Sequence, residues 1–321
     1  MTGHRRASLL SGETATTMQY DYHVLDVFTD KPFHGNPLAV VLGADGLSTE
    51  LMQTVASEFN LSETIFLATP ENALHSAKAR IFTPKTEVPF AGHPTVGAAI
   101  LLAALQSAGG SGEHDALISI EQALGTVRVG VRKKAGASAY AEFDAPKLPK
   151  DAGQLPPVDK LAAGIGLILN EIGFENHKPR CFAAGPAFAL IPVSSLDAIG
   201  KAAIDPRHWS EAFDEQGIVG AYLYTRQCRH TTSAFHARLF APSAGIPEDP
   251  ATGSAAVCLA GAVNQFDALP DGSHRRVVEQ GYFMGRPSEI VVTAIVKAGK
   301  LEAVRIGGRA VSVMAGKLTL P

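Results

Sequence analysis

The chain has 321 residues, of which 46% are apolar and 18% charged, and a formal net charge of −3. This composition supports substantial cores and gives no case for extended disorder; the slight acidity, without any Lys/Arg-rich run interleaved with aromatics, excludes a nucleic-acid partner. The longest apolar stretch, Val96–Leu105, falls short of the roughly 20 residues that a membrane span needs, so no membrane partner is expected.

Met1–Thr17 carries His4, Arg5 and Arg6 but only Leu9-Leu10 as an apolar pair, so it lacks the apolar centre of a signal peptide. Residues 1–18 are expected to form a flexible leader, unless Met18 is the natural start. Tyr22–Phe28 and Leu38–Leu42 read as strands. Thr49–Phe59 reads as an amphipathic helix with Leu51, Met52, Val55, Ala56 and Phe59 at helical spacing and Ser48 as N-cap. Ile65–Ala68 and Ala79–Phe82 follow as strands, then an apolar helix from Pro94 to about Gln106, then strands at Ala116–Ile120 and Gly125–Val131. Pro146–Pro157, rich in Pro, Lys, Asp and Gly, is the linker candidate. Beyond it come strands at Gly220–Tyr224 and Ala234–Phe240, a second apolar helix from Pro250 to about Asn264, and strands at Ser288–Val296 and Leu301–Ile306.

The chain repeats itself. Arg80-Ile-Phe82-Thr-Pro84 leads through Val88-Pro89 to Pro94-Thr95-Val-Gly97, while Arg238-Leu-Phe240-Ala-Pro242 leads through Ile246-Pro247 to Pro250-Ala-Thr252-Gly253-Ser254, at an offset of 158 positions (238 − 80). Upstream, Phe182-Ala-Ala-Gly185-Pro186 echoes Phe33-His-Gly35-Asn-Pro37. The length also exceeds what one core usually holds, so two similar lobes of about 150 residues are expected, each a sheet-rich α+β unit. A helix that is apolar nearly all round is a buried one, so each lobe should wrap a curved sheet around its helix. Both helices open on Gly, Ala, Ser and Thr, which lets another body approach backbone N–H groups that attract anions; a small carboxylate-bearing metabolite suits such a place.

Other chemistries lack their signals. There is no G-x-G-x-x-G or P-loop for a nucleotide, no nucleophile elbow, and no H-x-H or H-E-x-x-H among the 11 His, so neither cofactor nor metal is expected. Cys181, Cys228 and Cys258 are odd in number and lack C-x-x-C spacing, which argues against disulfides and for a reducing, cytoplasmic location.

Five ordered runs carry a family resemblance: Asp26-Val-Phe-Thr29 with Pro32-Phe33-x-Gly35-Asn36-Pro37; Glu58-Phe59-Asn60-Leu61-Ser62-Glu63-Thr64; Phe82-Thr83-Pro84 with Pro89-Phe90-Ala91-Gly92-His93-Pro94-Thr95; Glu248-Asp249-Pro250-Ala251-Thr252-Gly253-Ser254-Ala255; and Gln280-Gly281-x-x-Met284-Gly285-Arg286-Pro287-Ser288. From about Asp21 to the C-terminus the sequence resembles the phenazine-biosynthesis PhzF-like family. The resemblance implies the diaminopimelate-epimerase-like fold: two pseudo-symmetric lobes, 19–145 and 146–308, each a curved, mostly antiparallel sheet or barrel around a central helix, with strand 309–321 returning to the first lobe. It also implies a cofactor-free homodimer with its active site between the lobes.

The candidate catalytic residues are Glu63, His93 and Asp249, and the candidate substrate-binding residues are Gly92, Gly253 and Ser254. Each has a plainer reading. Glu63 lies between a helix and a strand, where a surface carboxylate is ordinary; His93 and Asp249 precede Pro94 and Pro250, the places of helix N-caps. By resemblance, Glu63 is the acid/base that takes a proton from one carbon and returns it to another, His93 polarises substrate, Asp249 holds an amino or hydroxyl group, and Ser254 with the Gly253 N–H binds the carboxylate. Diaminopimelate epimerase and proline racemase use a thiol at each helix start, and neither start here holds one; Cys258 lies two turns inside. The resemblance therefore implies a single-base isomerisation, with trans-2,3-dihydro-3-hydroxyanthranilate as the namesake substrate. The alternative is a non-catalytic binding protein that keeps the cleft.

Overall fold

The structure, a computed structural model, describes residues 18–107 and 113–320; of the expected leader, only Met18 lies within the described residues. In the first lobe, β1 (Met18–Val27), β2 (Asn36–Leu42), β3 (Glu63–Ala68), β4 (Ala77–Phe82), β6 (His114–Gln122), β7 (Gly125–Lys133) and β8 (Tyr140–Asp144) follow one another, with the two-residue β5 (Glu87–Val88) beside β4. Helix α1 (Thr49–Phe59) lies outside this sheet and α2 (Gly92–Gln106) inside it. In the second, β9 (Lys150–Asp151), β10 (Arg180–Ala183), β11 (Ala187–Pro192), β12 (Gly220–Thr225), β13 (Phe235–Ala241), β14 (Ile246–Asp249), β15 (Gly272–Gln280) and β16 (Ser288–Lys297) surround α6 (Gly253–Asp267). Short helices α3 (Val158–Gly164), α4 (Leu196–Lys201) and α5 (Trp209–Ala212) cover the outer face, and β17 (Lys300–Leu320) completes the chain.

The pairings give the two lobes one strand order. The first closes on itself as β1-β2-β3-β4-β6-β7-β8-β17, with β17 bonded back to β1. The second runs β9-β10-β11-β12-β13-β15-β16-β17. Each has two parallel pairs at matching places, β2–β3 and β4–β6 in one, β11–β12 and β13–β15 in the other. The fold is thus α+β, two curved and mostly antiparallel sheets each wrapped around a helix.

Both central helices are apolar nearly all round because every side faces a strand. In α2, Val96, Ile100 and Leu101 are buried, and a Cβ on Gly97 would come within 2.6 Å of the Leu38 side chain, so glycine lets β2 lie against the helix. Each large aliphatic side chain enclosed this way contributes roughly 1.5–3 kcal/mol. The outer helix α1 shows the ordinary one-sided pattern, with Met52, Val55 and Ala56 facing in and the Ser48 hydroxyl accepting from the Leu51 N–H at its start.

Two expectations change. The first strand begins at Met18 rather than Tyr22, because its polar first residues pair with the end of β17, Met18 opposite Leu320. The strand expected to stop at Ile306 continues through Gly307-Gly308 to Leu320. That glycine pair serves close packing and not a turn: a Cβ at Gly307 would lie 2.3 Å from the Tyr140 hydroxyl, and one at Gly308 2.3 Å from the Phe28 ring. β17 accordingly bonds β16 through residues 300–307 and β1 through residues 310–320, serving both sheets.

Candidate active site

The two central helices meet head to head. A Cβ added to Gly92 would lie 3.3 Å from Gly253 Cα, and one on Gly253 3.4 Å from Gly92 Cα, so the two helix starts already stand at the limit of backbone contact and a side chain at Gly92 would press against the facing start. Neither start is closed by a side chain: Ala91 is the N-cap residue of α2 and Thr252 that of α6, without a side-chain capping bond in either case. This corrects two readings. His93 lies within the first turn of α2, and Asp249 ends β14, separated from its helix by Pro250-Ala251-Thr252, a bend followed by an extended Thr252. Proline marked the neighbourhood of each helix start, but backbone direction sets the cap. The N–H groups of both first turns are left to other acceptors, with half-buried Ser254 beside them.

Glu63 reaches this junction because α1 ends in a left-handed residue, Asn60 (φ 49°), whose N–H closes on the Ala56 carbonyl and turns the chain sharply into β3. The Glu63 carboxylate lies 3.1 Å from His93 Nδ1. Its side chain keeps 17% of its surface accessible, whereas that of His93 keeps 4%, so the carboxyl is sheltered but reachable. The other ring nitrogen of His93, Nε2, is buried and has no partner among the described residues.

Asp249 comes from the other lobe. Its Oδ1 accepts from Asn36 Nδ2 (2.8 Å) and Ser62 Oγ (3.0 Å), both of the first lobe, and its Oδ2 accepts from Thr252 Oγ1 (2.5 Å). Gln280 supports the same turn from below, Nε2 donating to the Asp249 carbonyl (2.8 Å). Arg286 holds the first-lobe side: its guanidinium pairs with the buried Asp26 carboxylate and donates to the carbonyls of Gly35 (3.0 Å) and His34 (2.8 Å).

These environments set protonation. Burial first, and the nearby Asp249 charge second, push the Glu63 carboxyl up from 4.5 to about 8. Burial also raises Asp249, while hydrogen bonds from Thr252, Ser62 and Asn36 hold it back. Burial lowers His93 to about 3, so its imidazole is neutral near pH 7. Near pH 7 the proton of this pair therefore rests on Glu63, at a value where a carboxyl can both give and take a proton.

The second lobe has no matching carboxylate. Glu63 stands opposite Leu38 where β3 begins, and the corresponding first residue of β12, opposite Phe188, is Gly220. No thiol stands at either helix start, and Cys258 is fully buried within α6. A groove of about 810 Å³ runs along the outer face of the first lobe past Glu71, Lys78, Arg80 and Glu121 and includes none of these site residues.

The structure brings Glu63, His93 and Asp249 together and sets Gly92 against Gly253, with Ser254 next in the helix. Sequence reasoning missed Asn36, Ser62, Thr252, Gln280 and Arg286 as supports of the candidate site, although all five lie within the quoted runs. Their contacts depend on partners as far as 260 positions away, as for Arg286 and Asp26.

Residues 25–316 match the family model described as phenazine biosynthesis-like protein. The chain belongs to that family. It is 46% identical over 301 residues to a Mesorhizobium japonicum protein described as an uncharacterized isomerase, covering 93% of this chain and 98% of that one. It is 32% identical to the trans-2,3-dihydro-3-hydroxyanthranilate isomerase of Pseudomonas aeruginosa, covering 93% and 99%. Among solved structures, the Bacillus anthracis phenazine biosynthesis protein of the PhzF family superposes with a TM-score of 0.82 at 25% identity, over 94% of this chain and 100% of that one. A hydroxyproline epimerase of Agrobacterium vitis, 11% identical over 94% of this chain and 93% of that one, shares the fold alone, with a TM-score of 0.62. The chain is an enzyme of this family's isomerase kind with the epimerase-like fold.

Proposed function

We propose that the chain isomerises a small carboxylate-bearing metabolite by a single-base proton shift in which Glu63 is both base and acid. The observation that carries this is Glu63 itself: a sheltered carboxyl raised to about 8, between His93 and Asp249, with glycine at the matching place in the other lobe. In the first step a substrate C–H bond breaks, its proton forms the Glu63 O–H bond, and the electron pair moves into the substrate's π system. In the second, Glu63 returns the proton to a different carbon, so atoms and charge balance without an added reactant. Neutral His93 donates toward the developing negative charge, and the facing helix starts bind the carboxylate. Asp249 takes an amino or hydroxyl group of the substrate.

The candidate substrate is trans-2,3-dihydro-3-hydroxyanthranilate, after the Pseudomonas aeruginosa relative. The test is to incubate the protein with it in deuterated water and follow C–H signals by NMR. The wild type should incorporate deuterium and form the isomer, while Glu63→Gln should lose exchange and still bind. Exchange unchanged in Glu63→Gln overturns the assignment; a thermal shift with no exchange by the wild type supports a non-catalytic binder instead.

A further inference from the structure

Gln280 is fully buried at the end of β15, and both ends of its amide are engaged by one turn. Nε2 donates to the Asp249 carbonyl (2.8 Å) and to Thr252 Oγ1 (3.0 Å), and Oε1 accepts from the Thr252 N–H (3.2 Å). The Thr252 N–H fixes which way the amide faces, because a flipped amide would set two donors against each other. With an amide N–H directed at it, the Thr252 oxygen acts there as an acceptor, so its single hydroxyl proton is free for another group. Asp249 Oδ2, 2.5 Å away, receives it. Gly281 (φ 77°) makes the approach possible, since a Cβ there would strike the Pro250 carbonyl at 2.7 Å.

We propose that Gln280 is a positioning residue for Asp249: by donating to Thr252 Oγ1 it directs the Thr252 hydroxyl proton onto the Asp249 carboxylate, and so holds the charge that faces Glu63. Its bearing on turnover rests on Glu63 being the acid/base. Asp249 is faced by Glu63 from β3 with His93 behind it on α2, by Tyr222 from β12, and by Glu248 on its own strand. All four are ionisable, so the hydroxyl that Gln280 orients decides how much of the shared negative charge rests on Asp249.

The test reads the carboxyls without substrate. In protein labelled with 13C at the carboxyl carbons of Asp and Glu, Gln280→Leu should move the Asp249 titration midpoint upward by about one pH unit, as expected from loss of one hydrogen bond to a charged group. Thr252→Val, which leaves the Gln280 contact to the Asp249 carbonyl in place, should give the same shift, Thr252→Ser should keep the wild-type midpoint, and the double variant should move no further than either single. With substrate, the pH profile of exchange should move with the midpoints. A Gln280→Leu protein that melts earlier with unmoved midpoints, or a double variant whose shifts add, overturns the proposal. If Gln280→Leu does not fold, an unmoved midpoint in Thr252→Val overturns it equally. Absence of exchange in the wild type refutes the proton-shift reading of Glu63 and leaves the titration result to decide Gln280.

Discussion

Replacing Glu63 by Gln should stabilise the protein in alkali while abolishing its chemistry. In the folded state burial and Asp249 raise the carboxyl from 4.5 to about 8. A carboxyl raised on folding contributes its full stability below the unfolded value and loses it as pH rises through the folded one, so the window here runs from about 4.5 to about 8. At ~1.36 kcal/mol per unit, a separation of about 3.5 units (8 − 4.5) amounts to ~5 kcal/mol as an upper bound. The 17% accessible surface of the side chain and the charge shared with Asp249 reduce this to about 2–3 kcal/mol. For a chain this long, with unfolding entropy near ~2.1 cal/mol/K per residue, that is about 3–5 °C in melting temperature. Differential scanning calorimetry should show Glu63→Gln melting about 3–5 °C above wild type at pH 9 and level with it or below at pH 4. The same difference at both pH values would refute the claim that Glu63 holds its proton through burial.

Asp249→Asn removes the second cause of the Glu63 shift, so the rising limb of the exchange rate should move to lower pH; a limb that stays in place argues that burial acts alone. Gly92→Ala puts a methyl 3.3 Å from Gly253 Cα, and the strain should cost about 1–3 kcal/mol in urea unfolding and lower kcat more than it lowers stability. Arg286→Met leaves the Gly35 and His34 carbonyls without the guanidinium and the buried Asp26 carboxylate without its cation, with only the Phe33 N–H still donating to it. With a quarter of the Arg286 side chain accessible, the expected loss is about 2–3 kcal/mol, read from denaturant midpoints.

Much of this molecule is legible in its sequence, and for identifiable reasons. The 158-position repeat announces two similar lobes, and the all-round apolar character of Val96–Leu105 announces an enclosed helix, since no amphipathic stripe remains to face water. The residues that resemblance names as candidates, Glu63, His93 and Asp249, do lie together. Illegible are the features that depend on partners remote in the chain. Pro250 points to a helix start, but only the path of the backbone shows that α6 begins at Gly253 and leaves Asp249 free to bind Asn36 and Ser62. Gly307-Gly308 reads locally as a break, and only the rings of Tyr140 and Phe28 reveal a strand running through.

That uninterrupted strand changes what the internal repeat means for the folded chain. Because residues 300–307 bond one sheet and residues 310–320 bond the other, the first half does not own a complete set of staves and takes its last one from the far end of the chain. Trimming the last ten residues would breach the barrel built from the beginning of the chain, and a ribosome that has finished that barrel's other seven strands must still wait for the final segment before the ring can shut. The two similar lobes are thereby tied into a single unit of folding.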